Sequence, residues 1–234
     1  SWLAYLELEH ENFRVALEFA HRYGLHGTGL RLANALWWFW VLRARFNEGR
    51  TWLEKRALLD EGVSPQLRAR ALYHAGTLTF FQGDLERLDV LTEKSLALFY
   101  DLHDTQGVAV SLCNLVHVAL RQGNHERAQR LGEESVALAR SVGDRWYVGL
   151  TLLPLAHLKM REKDYTSASM LVDESLRIFR ALGDRWGIAY AFDTLGQLAD
   201  RQYDYPSGVS CYEQSLKLLE QLNDPIGTAR ALLH

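Results

Sequence analysis

The sequence has few of the residues that form disulfides, linkers or disordered segments. Its 234 residues include two cysteines, Cys113 and Cys211, and four prolines. The cysteines fall on different predicted helices that are far apart in the chain, so we expect no disulfide, and we predict a reducing, cytoplasmic location. Because prolines are few and Ser/Gly-rich tracts are absent, we expect neither flexible linkers nor disorder.

A strong net charge and a long apolar run are also missing. The formal net charge is −3 at pH 7, which is too small to indicate a nucleic acid or an anionic membrane as the partner. The longest apolar run, Ala35–Leu42, is much shorter than the roughly 20 residues of a membrane-spanning helix. The hydrophobic fraction of 48% is nevertheless enough for a continuous core.

The sequence contains none of the short motifs that carry catalysis or hold a cofactor. It has no glycine-rich phosphate loop, no H-E-x-x-H and no paired cysteines at zinc-binding spacing. His10-Glu11 and His125-Glu126 have no second ligand at helical spacing. A metal site at His117 and His157 is the remaining candidate, but it lacks a nearby carboxylate. We therefore predict a protein that is not an enzyme and that has no cofactor and no metal site.

A repeat with a period of forty residues organises most of the chain. The tetrapeptide Gly143-Asp144-Arg145-Trp146 recurs forty residues later as Gly183-Asp184-Arg185-Trp186. Two further sets recur at the same interval: Asp84, Asn124, Asp164 and Asp204, and Ser95, Ser135, Ser175 and Ser215. Self-similarity at a period of about 20 to 50 residues is typical of solenoids, in which each unit buries its apolar face against its neighbours.

Each unit contains two amphipathic patterns with apolar residues at intervals of three and four, which predicts two antiparallel helices. Ser64 and Asp224 are predicted N-caps, a further cap is predicted at Asp204 or Tyr205, and Pro225 is acceptable in a first helical turn. The predicted complete units are residues 64–103, 104–143, 144–183 and 184–223. Divergent helices at 1–63 precede them, and the start of a further unit follows at 224–234. We interpret residues 1–234 as one superhelical domain and as a fragment of a longer chain.

Three local predictions concern particular helices. The apolar pattern predicts one helix from Trp2 to about Tyr23. Trp37 and Trp40 continue an apolar stripe and are predicted to pack in the core, while Val41 falls on the opposite face. Pro154 lies inside a predicted first helix and is expected to kink it, because proline has no backbone N–H group to donate.

Several recurring residues resemble a tetratricopeptide repeat (TPR). In the last complete unit they are Leu195-Gly196, Ala199, Tyr203-Asp204-Tyr205, Gly208, Tyr212 and Ser215-Leu216. The usual repeat has about 34 residues. The forty-residue unit, together with Leu182-Gly183-Asp184-Arg185, is similar to the TPR-like sensor arrays of bacterial LuxR-type and MalT-like regulators and STAND ATPases. The resemblance implies an all-α, right-handed α-solenoid, with the ATPase and DNA-binding modules elsewhere in the parent chain.

In TPR-like arrays the first helix of each unit lines a concave groove. Aligning the repeats predicts ten groove residues: Tyr73, Thr77, Phe80, Phe81, His117, Arg121, His157, Arg161, Gln197 and Arg201. Neighbouring aligned positions include Cys113 and Asp193. The three arginines repeat every forty residues, and guanidinium groups suit carboxylate or phosphate recognition, to which histidine adds a pH-dependent charge. Alternatively, each arginine ends a solvated face and pairs with an acid such as Asp164 or Asp200.

The sequence supports three hypotheses about function. The leading one is a sensor domain that binds a protein, a peptide or a small effector in the groove and signals to other modules of the parent chain. The alternative is a structural module that assembles through its open ends or its convex face. A third hypothesis, direct nucleic-acid binding by the arginines with stacking on Tyr73, Phe80 and Phe81, is disfavoured by the acidic net charge.

Overall fold

The computed structural model describes residues 2–57 and 62–233. In these ranges the regular elements are helices: α1 Trp2–Leu8, α2 His10–Arg22, α3 His26–Leu42, α4 Phe46–Ala57, α5 Pro65–Gln82, α6 Leu85–Asp101, α7 Thr105–Arg121, α8 His125–Ser141, α9 Arg145–Arg161, α10 Tyr165–Leu182, α11 Arg185–Arg201, α12 Tyr205–Leu222 and α13 Pro225–Ala231. The predicted segments 1–63 and 224–234 include residues 1, 58–61 and 234, which lie outside the described ranges.

The chain forms two compact units, residues 1–107 and 108–234. In the first unit, α3 packs against α4 and α5, and α5 packs against α6. In the second unit, neighbouring helices from α8 to α13 pack in chain order, and α9 also contacts α11. Helices that are joined by short loops and packed side by side are antiparallel hairpins. The prediction of an all-α fold built from antiparallel helix pairs is therefore confirmed.

A two-residue signal that recurs every twenty residues sets the helix ends. The first residue has a positive φ; it is Gly83, His103, Gly123, Gly143, Lys163, Gly183, Tyr203 or Asn223. The second is an Asp or Asn whose side chain accepts a backbone N–H from the next helix at 2.9 to 3.3 Å. The left-handed residue ends one helix and the capping side chain starts the next. The predicted caps at Ser64 and Asp224 are confirmed, and of the two residues predicted near the cap of α12 the capping residue is Asp204 and not Tyr205.

The recurring serines join the two helices of a forty-residue repeat. The Ser95 hydroxyl donates to the carbonyl of Ala69 at 2.8 Å, and the Ser175 hydroxyl donates to the carbonyl of Gly149 at 2.7 Å. The Ser135 hydroxyl makes the equivalent bond to Ala109. Ser215 occupies the same position and is fully buried, but its hydroxyl has no hydrogen-bond partner among the described residues. The repeat is therefore regular in sequence but not in hydrogen bonding.

The recurring Asp-Arg-Trp sequence links one forty-residue repeat to the next. The Trp146 indole N–H donates to Asp184 Oδ2 at 2.6 Å, and the Trp186 indole N–H donates to Asp224 Oδ2 at 3.2 Å. Each aspartate thus caps its own helix through one oxygen. Its other oxygen accepts the indole N–H of the tryptophan in the preceding repeat. The two indole rings stack with their centroids 6.4 Å apart.

Two local predictions were wrong. The helix predicted from Trp2 to Tyr23 is interrupted at Glu9, where φ is −88° and ψ is 0°. Trp37 is only half-buried and stacks on His74 of α5 with ring centroids 4.6 Å apart. Trp40 is buried as predicted, but so is Val41. The reason is that α3 packs against α2, α4 and α5, so more than one of its faces is covered. Helix α9 runs through Pro154 without a break.

Candidate functional site

Six of the ten predicted groove residues lie in the second unit, on α7, α9 and α11. They are His117, Arg121, His157, Arg161, Gln197 and Arg201, and we call the surface they form the ladder face. The three arginines are exposed near the C-terminal ends of their helices, and the two histidines and Gln197 are half-buried one turn earlier. The ladder face therefore has an exposed cationic edge beside a partly buried polar band.

The ladder face brings its two histidines close together. Burial, together with the nearby charges of His157 and Arg121, lowers the pKa of His117 from 6.5 to about 4. His117 is therefore neutral at pH 7 and contributes a ring that donates or accepts hydrogen bonds rather than a positive charge. The permanent positive charges of this face come from its arginines.

The predicted alternative, in which the arginines pair with Asp164 or Asp200, is not found in the described residues. Asp164 caps α10 through Ser167, and Asp200 accepts the hydroxyl of Tyr212 at 2.6 Å. Arg161 Nη1 lies 3.0 Å from His125 Nε2. Within residues 2–57 and 62–233, none of the three arginines forms an ion pair with a carboxylate.

A buried carboxylate lies on α11, beside the ladder face. The side chain of Asp193 is 1% exposed. Its Oδ2 accepts the Gln197 amide at 3.0 Å and lies 3.6 Å from Arg230 Nε, whereas its Oδ1 has no hydrogen-bond partner in the part of the chain that the structure describes. The Arg230 guanidinium carbon lies 4.6 Å from the ring centre of Tyr190. Burial raises the pKa of Tyr190, and the charges of Arg230 and Asp193 act on it in opposite directions.

Asp193 is one of the groove positions predicted from the sequence by repeat alignment, whereas Tyr190 and Arg230 are not among them. A signal for them was present, because Arg230 lies forty residues after Tyr190 and occupies the same repeat position. Both residues come one turn before the first aligned groove position. Extending the alignment by one helical turn would therefore have included them.

The remaining four predicted groove residues lie on α5, in the first unit. Tyr73 is 4% exposed, and the Thr77 hydroxyl donates to the Tyr73 carbonyl at 3.1 Å. Phe80 and Phe81 are half-buried and meet edge to face at 5.4 Å. Phe81 also stacks on Phe46 of α4 at 5.9 Å. Apart from Thr77, the half-buried residues of this surface are therefore aromatic.

The described residues contain neither a metal-binding cluster nor a membrane-spanning helix. In the ranges 2–57 and 62–233, no three His, Cys, Asp or Glu side chains form a group that could hold a metal ion. Among the helices of these ranges, none has both the length and the apolar composition that a membrane span requires.

Comparisons with known proteins agree on the fold. The tetratricopeptide repeat family model matches residues 108–142. The structure of BtubC (BKLC) from P. vanneervenii is similar with a TM-score of 0.67 at 17% identity, and the match covers 93% of this chain and 92% of that one. A putative kinesin light chain from Podosopora anserina with nearly identical TPR-like repeats matches with a TM-score of 0.57 at 14% identity, over 84% of this chain and 97% of that one.

A third structure is a larger protein. It is a signal transduction ATPase with numerous domains (STAND) that has a tetratricopeptide repeat sensor, from Pyrococcus horikoshii. The TM-score is 0.62 at 14% identity, and the match covers 97% of this chain but 36% of that protein. No curated protein sequence matches the chain. The predicted resemblance is confirmed for the fold: the chain is a TPR-like helical repeat, and residues 108–142 match the tetratricopeptide repeat itself.

Proposed function

We propose that the chain is a non-catalytic sensor domain that binds a protein, a peptide or a small effector on the ladder face. The parent chain would be a signal-transduction ATPase or a transcription regulator of the LuxR-type or MalT-like kind. The observation that carries the proposal is the row of exposed arginines, Arg121, Arg161 and Arg201, at forty-residue intervals, with no carboxylate partner among residues 2–57 and 62–233. The fold of the STAND protein with its repeat sensor supports the placement in such a parent chain.

The chemistry of the ladder face favours an acidic or carboxylate-bearing ligand. Exposed guanidinium groups that are not paired with a carboxylate break no ion pair when they bind an anion. Their planar N–H donors fit a carboxylate in two-point contact. The neutral His117 and the Gln197 amide, which is held by Asp193, supply directional hydrogen bonds beside the charges. An extended acidic peptide that follows the row of helices would meet one arginine per repeat.

A sensor domain transmits a signal only if its ligand binds the resting state and the active state of the domain with different affinities. Arg230 of α13 and Asp193 of α11 offer one contact for such a difference, because the same carboxylate that holds Arg230 also holds Gln197. A ligand that recruits Gln197 or Arg230 would change how α13 is attached to α11. The proposal therefore places the binding residues and a movable contact side by side.

A pull-down from lysate, read by mass spectrometry for proteins and small molecules, tests the proposal. The variant Arg121→Ala/Arg161→Ala/Arg201→Ala is compared with the unchanged chain. The control Lys94→Ala/Arg130→Ala/Lys217→Ala removes three exposed cations from second helices. We expect a species that the unchanged chain and the control retain and the ladder variant loses, with melting temperatures that agree within about 2 °C. Equal recovery by all three proteins would refute the assignment of the ladder face.

A second candidate function, assembly of copies of this chain, is favoured by a different observation. Val15 and Phe19 of α2 and Tyr23, which directly follows the helix, are 60%, 54% and 61% exposed. They lie at intervals of four along one side of the helix, and Phe19 and Tyr23 contact each other at 4.4 Å. Light scattering of the unchanged chain and of Val15→Glu/Phe19→Glu tests it. A concentration-dependent mass that the variant abolishes would support assembly, and a monomer at high concentration would exclude it.

A further inference from the structure

A cleft in the second unit lies away from the ladder face. It is formed by the connection between α8 and α9 together with the second half of α10, and its volume is about 340 Å³. Its lining residues are Arg140, Gly143, Arg145, Val148, Glu174, Arg177 and Ile178. Arg145 begins α9 and Arg161 ends it, 17 residues in all. At a rise of 1.5 Å per residue, the cleft and the ladder face are about 24 Å apart along the helix.

The cleft has an excess of positive charge. Three of its lining residues are arginines and one is a glutamate, so the local charge is about +2. Arg140 donates to Glu174 at 2.6 Å. Arg145 and Arg177 are exposed, and within the described part of the chain neither forms an ion pair or a side-chain hydrogen bond. Two guanidinium groups therefore converge on one cleft without a counter-ion.

The next repeat provides an internal comparison. The positions forty residues later carry Arg180, Arg185 and Lys217, with Gln214 in place of Glu174. There two of the three cations have other partners: Arg180 lies 5.8 Å from the ring centre of Phe192, and Arg185 donates to the side chain of Gln221. If the arginines served only to keep the helix surface solvated, both repeats would suit that role equally. In the first of these repeats Arg145 and Arg177 line a cleft and have no partner within the described residues, whereas Arg185, the counterpart of Arg145, is hydrogen-bonded.

We propose that this cleft binds a phosphate monoester. A phosphate monoester carries a charge of about −1.5 to −2 at pH 7, which matches the excess charge of the cleft. Its three terminal oxygens accept hydrogen bonds from planar guanidinium donors, as Arg145 and Arg177 provide. Val148 and Ile178 are 4% and 8% exposed and give the cleft an apolar wall, against which the organic group of the ester packs. A simple carboxylate has half this charge and fewer acceptors.

Isothermal titration calorimetry with defined probes tests the site. The probes are phenyl phosphate, inorganic phosphate, benzoate and a phosphoserine peptide, all at pH 7.5 and constant ionic strength. The variant Arg145→Ala/Arg177→Ala is compared with Arg185→Ala/Lys217→Ala, which removes the equivalent charges of the next repeat. We expect phenyl phosphate to bind the unchanged chain and the control alike. The cleft variant should bind it about a hundredfold more weakly, at about tenfold for each charge-assisted contact.

The probes separate the sources of the phosphate group. Tighter binding of the phosphoserine peptide than of phenyl phosphate would identify a phosphorylated protein as the source, and the reverse order would identify a small phosphate ester. Benzoate binding as tightly as phenyl phosphate would overturn the assignment to phosphate. Equal weakening in both variants, or no heat with any phosphate probe at 10 mM (about the weakest binding that the method resolves), would overturn the site itself.

Discussion

The buried serines allow a matched test of one hydrogen bond. Ser175 and Ser215 occupy the same repeat position in α10 and α12, and both are fully buried. The Ser175 hydroxyl donates to the Gly149 carbonyl at 2.7 Å, whereas the Ser215 hydroxyl has no partner. Replacing each serine by alanine removes the same atom from the same kind of site. We expect the two replacements to change the free energy of unfolding in opposite directions.

The magnitudes follow from what each hydroxyl does. Ser175→Ala loses a hydrogen bond with a net contribution of about 1 kcal/mol and gains about 0.5 kcal/mol of helix propensity. It should therefore destabilise the protein by about 0.5 kcal/mol. Ser215→Ala gains the same propensity and removes an unpaired buried hydroxyl, which costs about 1 to 3 kcal/mol. It should stabilise the protein by about 1.5 kcal/mol or more, and the difference between the variants is about 2 kcal/mol.

Urea denaturation followed by circular dichroism measures both changes, with the slope of free energy against urea checked for constancy. For a chain of this size, a difference of about 2 kcal/mol corresponds to melting temperatures about 4 to 8 °C apart. Because helix propensity is common to both variants, it cancels in the comparison. A Ser215→Ala variant that loses as much stability as Ser175→Ala would refute the reasoning.

Three further predictions concern the packing of a glycine, a hydrogen bond between two repeats and the pH dependence of stability. Gly187→Ala should destabilise the fold by about 2 to 3 kcal/mol, because the added Cβ would overlap the ring of Phe179. Trp146→Phe should cost about 1 to 2 kcal/mol, because it removes the bond to the charged Asp184. Burial holds the pKa of His117 at about 4 in the folded state, below the 6.5 of an unfolded chain. The folded protein therefore binds fewer protons, and its stability should fall as pH decreases from about 6.5 to 4. His117→Gln should reduce that dependence. Urea midpoints measure the first two effects, and midpoints across this pH range measure the third.

Each of these predictions has a control in the chain. At Gly149 an added Cβ would lie 3.1 Å from Phe179, so Gly149→Ala should cost less than Gly187→Ala. Asp184→Asn keeps both the cap and an acceptor for the indole, so it should cost less than Trp146→Phe. His21→Gln, at an exposed position on α2, should leave the pH dependence unchanged. A reversed order in any of these pairs would contradict the corresponding contact.

The prediction of the helix pairs succeeded because its signals are local. Helix ends depend on residues such as Gly183 and Asp184, which act on their own backbone and recur at a fixed interval. The prediction for residues 2–23 was wrong because the apolar pattern continues through Glu9 although the helix does not. The assignment of Trp37 to the core was wrong because periodicity gives the face of a helix but not what covers that face.

The candidate sites could be predicted only in part. The alignment of Arg121, Arg161 and Arg201 on successive first helices followed from the period, and their role in binding stays a prediction. Asp193 was placed near them, but its contact with Arg230 was not predicted. The sequence also did not show that Arg145 has no hydrogen-bond or ion-pair partner among the described residues, whereas Arg185, one repeat later, donates to Gln221.

The sequence by itself determined the repeat, the helix ends and which residues share a helix face, because these depend on chain-local hydrogen bonds and on a constant rise per residue. The tertiary structure decided which polar groups meet. Ser175 and Ser215 are the same residue at the same repeat position, yet one is bonded and the other is not. Hydrogen bonds and ion pairs form or fail over differences of less than about 1 Å, and such differences arise from the packing of neighbouring helices rather than from the period of the sequence.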